Sequence, residues 1–147
     1  MPTDASTAVR HPSPRRARAD GRVVAFGLLG APFAWALAHV VTYSVAAVVC
    51  YPGHEPRAGI GGLGWVTPPL LFVYAAGLVI AAAAGVAARR AWAASREEAH
   101  GHAGHAAEIG EGRTRFMALW GLMTSGVFFA LMVFDAIALL LVPLCSH

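Results

Sequence analysis

The chain has 147 residues, 57% of them hydrophobic and 13% charged, with a net charge of +3. A water-soluble domain carries about twice that share of charge, so a soluble enzyme is excluded as the plain reading, and the length allows one compact unit. All 11 basic residues are arginines, grouped along the chain in a way that membrane topology explains without invoking nucleic acid.

Residues 1–21 are rich in Pro, Ser and Arg and have no hydrophobic pattern, which predicts a disordered basic cytoplasmic tail. Residues 22–147 form the membrane domain. Its first span is residues 23–49, free of formal charge apart from any on His39. A run of that length makes about 40 Å of helix, enough to cross a bilayer core with some tilt. It is too long for a signal-peptide core and predicts an uncleaved helix. Pro32 predicts a kink within it, and Tyr51-Pro52-Gly53 ends it.

A short, turn-rich loop leads to a second helix over 65–88. Trp65 opens it as an interfacial anchor, with Pro68 and Pro69 near its first turn. Gly77, Ala81 and Gly85 recur at i, i+4 and i+8, a small-residue stripe that lets another helix approach. The helix is expected to stop at Arg89 and Arg90. Residues 91–114 read as a polar, glycine-interrupted cytoplasmic loop containing histidines. A third helix over 115–143 carries Gly121 and Ser125 at i and i+4, together with Asp135, the one carboxylate within the three spans.

The fold class is therefore all-α, a three-helix transmembrane bundle. Five arginines (10, 15, 16, 18, 22) precede the first span and five (89, 90, 96, 113, 115) lie between the second and third, against Arg57 alone in the first loop. The positive-inside rule then predicts a cytoplasmic N-terminus and a periplasmic C-terminus in a bacterial inner membrane.

Cys50 closes the first span and Cys145 follows the third, so both thiols are expected at one non-cytoplasmic surface. That compartment is oxidising in bacteria, which favours a disulfide stapling the first helix to the third. The alternative is metal: with His54 and His147 nearby, two Cys and two His form a donor set for copper or zinc.

His39 lies eleven residues before Cys50, and Asp135 ten before Cys145. If the cysteines are level, both side chains sit about 15 Å deeper and level with each other. Tyr43 is one turn above His39, Trp35 one turn below, and Tyr74 of the second helix falls at a similar depth. These spacings predict an intramembrane polar cluster of His39, Tyr43, Tyr74 and Asp135. Ionisable residues in a span face protein or water and mark function by default. A His–Asp pair holding two helices in register, or meeting a partner subunit, explains the same residues structurally.

His100, His102 and His105 form an HxHxxH run suited to divalent transition metals, although a solvated low-complexity loop accounts for it as well. The chain contains no P-loop, GxSxG, HExxH or CxxC motif, so no catalytic residue is assigned, no enzyme activity is expected and no cofactor is implied.

The first span, with Gly30, Pro32, Trp35, His39, Tyr43 and Cys50, resembles the first helix of small three-helix bacterial inner-membrane proteins often encoded near haem-copper cytochrome c oxidase subunits. The third, with Arg115, Gly121, Ser125, Pro143 and Cys145, is similar to their last helix. This chain departs from their pattern in having Ala31 before Pro32 and a spacing to Tyr43 one residue shorter. The resemblance covers the spans and implies an accessory or assembly role beside a haem-copper oxidase. The residues leave two alternatives: an oligomeric proton- or metal-linked permease built on His39 and Asp135, and a copper-handling protein at the outer surface.

Overall fold

The computed structural model describes residues 21–54, 63–98, 111–142 and 144–145. The expected N-terminal tail, the HxHxxH run at His100, His102 and His105, and His147 lie outside the described residues. Three long helices build the fold: α1 (Gly21–Cys50), α2 (Thr67–Glu98) and α3 (Glu111–Leu141). Two 3-10 turns, Pro52–His54 and Leu63–Trp65, flank the first connection. Among the described residues there is no strand.

Each helix is long and apolar enough to cross a membrane. α1 continues through Pro32 without interruption. It stops after Cys50, where the Tyr51 N–H still donates to the Ala47 carbonyl and Gly53 then turns with φ 74°. A φ of that sign is open to glycine at no steric cost, which makes the turn after Pro52 feasible. α2 differs from the expected 65–88 at both ends. Trp65 sits in the preceding 3-10 turn and Thr67 opens the helix. Its C-terminal end runs ten residues farther, past Arg89 and Arg90 to Glu98. Arginine and alanine are strong helix formers, and residues 89–98 contain no Gly or Pro to stop the chain. α3 likewise begins at Glu111 rather than 115, and ends at Leu141 rather than 143, two residues before Pro143.

α2 runs antiparallel to α1 and α3, and small residues set the register. A Cβ on Gly27 would meet Ala88 at 3.1 Å, and one on Gly121 would meet the Gly27 carbonyl oxygen at 2.9 Å. At this level the three backbones nearly touch. The Ser125 hydroxyl adds a hydrogen bond to the Gly27 carbonyl at 3.3 Å. Along α2, Gly77 faces the Met132 sulfur, Ala81 is buried and Gly85 faces Ser125, so the stripe turns toward α3.

The core is correspondingly lean. Ala31, Ala38, Ala81 and Ala84 surround Tyr74 and Met132 in its central part. Val66 and Leu70 pack with Cys50 and Cys145 at one end. Large apolar side chains point outward instead, Phe72 being 75% exposed. That distribution suits hydrocarbon surroundings: lipid solvates Phe and Leu as well as a core does, so helices associate by close backbone approach.

Candidate functional site

The polar residues of the spans meet between α1 and α3. From α1 the turn Trp35–His39 faces α3. The Trp35 indole N–H donates to Asp135 Oδ2 at 3.2 Å. His39 Nε2 stands 3.8 Å from that same oxygen, at ion-pair distance and longer than a direct hydrogen bond. His39 Nδ1 reaches the Trp35 carbonyl at 3.4 Å. A carbonyl only accepts, so this contact is a hydrogen bond in the forms of the ring that carry a proton on Nδ1. Nε2 is the nitrogen that faces the carboxyl group.

Aromatic rings wall the pair. The Trp35 and His39 ring centroids are 4.4 Å apart, and Trp35 meets Phe128 of α3 at 5.3 Å. Buried Tyr74 of α2 approaches the His39 ring edge-on at 6.5 Å. On its other side the pair is open. The His39 side chain remains 44% and that of Asp135 29% accessible, within helices long and apolar enough to lie in hydrocarbon.

Of the four residues expected in the cluster, the structure brings His39, Tyr74 and Asp135 together and leaves Tyr43 out. Tyr43 is 78% exposed. Positions four apart on a helix drift about 40° around its axis. Trp35 therefore rotates toward α3 by one such step and Tyr43 rotates away by another. Trp35 and Phe128 are the contributors that sequence reasoning did not place in the cluster. Their signals were present: Trp35 lies one turn before His39, and Phe128 lies two turns before Asp135, on the same helix face.

Toward the Cys50 end the site gives way to the staple. Cys50 and Cys145 form a disulfide with S–S 1.97 Å and Cα–Cα 5.5 Å. A pocket of about 180 Å³ opens beside it, lined by Tyr43, Ala46, Ala47, Tyr51 and the disulfide itself. Metals bind the thiolate form of cysteine, and neither sulfur is a thiolate in this bonded state. Among the described residues no three His, Cys, Asp or Glu side chains gather around a metal-sized space.

No protein-family model matches the chain, and no curated protein or solved structure matches it either. The site must therefore be interpreted from its own chemistry.

Proposed function

We propose that this protein is an integral membrane accessory or assembly subunit, without catalysis of its own, that docks a larger membrane protein against the α1–α3 face. The observation that carries this reading is the open side of the His39–Asp135 pair. An Asp in the middle of a span costs about 2.5–3.5 kcal/mol on insertion scales unless protein or water covers it. Here Trp35, Phe128 and Tyr74 cover one side only, and a partner helix would cover the other. Exposed Tyr43, one turn farther along α1 and turned outward, offers a further hydroxyl to such a helix. The arginine distribution favours an N-terminus in the cytoplasm and a C-terminus in the bacterial periplasm, where a disulfide persists. The resemblance of the spans makes a haem-copper oxidase the first partner to test.

The test is a photo-crosslinking amino acid at position 43 in cells. The expected outcome is an adduct with one integral membrane protein, weakened by Asp135→Leu, and defective oxidase assembly and haem spectra when the gene is deleted. Adducts with lipid alone would rule out the docking face. Normal oxidase in the deletion strain would rule out that partner.

The proximity of His39 Nε2 to Asp135 Oδ2, 3.8 Å apart within the spans, favours a second reading, an oligomeric proton- or metal-linked permease. It requires Asp135→Asn to abolish flux in vesicles while the disulfide still forms. Flux unchanged by Asp135→Asn excludes it.

A further inference from the structure

We infer that the bundle end opposite the disulfide is a binding collar for anionic phospholipid headgroups, formed by Arg22, Arg89, Arg90 and Arg115. The inference is independent of any protein partner on the α1–α3 face.

The fold gathers these residues from three helices. α1 and α3 begin at this end and α2 leaves through it. The contacts joining Gly27, Ala88 and Gly121 fix one common level near the end of the apolar packing. Arg89 and Arg90 follow that level by one and two residues, Arg22 precedes it by five and Arg115 by six. At 1.5 Å per residue all four lie within about 10 Å of it, close to the thickness of a headgroup layer. All four are exposed.

Aromatic residues occupy the same band. Trp120 lies one residue from the common level and Phe116 five, both exposed and stacked edge to face with centroids 5.9 Å apart. Indole and phenyl rings beside guanidinium groups are the composition of a membrane interface. Among the residues whose side chains are described, the one carboxylate is Asp135, fourteen residues from Gly121 and about 21 Å away along α3. Glu97, Glu98 and Glu111 occupy the outermost turns of α2 and α3, farther from the apolar level than the arginines. Among the described side chains, the charged groups near this level are therefore cations. Guanidinium forks pair two N–H groups with phosphate oxygens, which suits phospholipid phosphate better than a point charge would. Helices α1, α2 and α3 each contribute, so the collar can hold headgroups around the bundle instead of at one face.

The test uses the full chain in non-ionic detergent. Phosphatidylglycerol and phosphatidylcholine with matched acyl chains are added together, and native mass spectrometry counts the retained lipids. Each basic residue near a surface contributes about fivefold to anionic-lipid association. The expected result is retention of phosphatidylglycerol over phosphatidylcholine, falling about 25-fold in the Arg89→Gln/Arg90→Gln variant. Arg115→Gln, a single change on another helix, lowers the preference about fivefold and serves if the double variant fails to form its disulfide. Arg89→Lys/Arg90→Lys retains most of the preference. Equal retention of the two lipids by the unaltered protein overturns the inference, as does a preference unchanged in both glutamine variants. Inorganic phosphate in excess leaves the bound phosphatidylglycerol in place; its displacement by phosphate would show a free-anion site and overturn the lipid assignment.

Discussion

At the Gly27 end α1 and α3 lie so close that a single Cβ on Gly121 would approach a carbonyl oxygen of α1 to 2.9 Å. At the other end the same two helices are held by the Cys50–Cys145 bond, across a Cα–Cα distance of 5.5 Å. Close packing suffices at the first end because small residues from all three helices coincide there. At the second, Ala46 and Ala47 leave a pocket beside the disulfide, and a covalent bond does what contact does not. The His39–Asp135 pair lies between the two. Its helices are fixed on either side, so its geometry needs little support from its own hydrogen bonds.

Reduction tests the covalent end and has the largest expected effect. The bond joins residues 95 apart, and closing such a loop contributes about 4–5 kcal/mol in the chain-entropy account. Membrane-inserted helices are already restrained before they pack, so Cys50→Ala/Cys145→Ala should cost about 2–4 kcal/mol in a denaturant titration within mixed micelles. An unchanged midpoint would mean that the bond adds nothing to packing. Gly121→Leu tests the contact end. The group it meets is backbone and cannot swing aside, so a loss of about 3 kcal/mol is expected. Gly126→Leu is the matched control, five residues along α3 with nothing within 4 Å of its Cβ, and should stay within about 0.5 kcal/mol. Equal effects at the two glycines would refute the close crossing.

Between the ends the effects shrink. Trp35→Phe removes one N–H donor from Asp135 and should cost about 1 kcal/mol. Tyr43→Phe should leave stability within about 0.5 kcal/mol, because its hydroxyl meets no partner among the described residues, yet it should weaken capture of a partner helix. A destabilised Tyr43→Phe protein would place that hydroxyl inside the bundle and remove it from the docking face.

Much of this arrangement was legible in the chain itself. The three apolar runs are helices because their lengths and compositions allow nothing else in hydrocarbon. The pairing of Cys50 with Cys145 followed from their placement at the ends of two apolar runs, and the common depth of His39 and Asp135 from counting residues at 1.5 Å each inward from the cysteines. Helix ends were less legible. α2 outlasts Arg89 and Arg90 because charge marks where a membrane ends, while only Gly or Pro marks where a helix ends.

Length, apolar runs and residue spacing thus determined the number of helices and which residues share a depth, since run length and rise per residue set both. Rotation about each helix axis was decided by tertiary packing. The contacts of Gly27, Ala88 and Gly121 chose which face of α1 met α3, turning Trp35 onto Asp135 and Tyr43 outward. A drift of about 40° per turn-length step separates an inward residue from an outward one, and only the packed neighbours fix where that drift begins. The same packing drew four arginines from separate stretches of sequence into one collar and left one side of an ion pair open to whatever the membrane supplies.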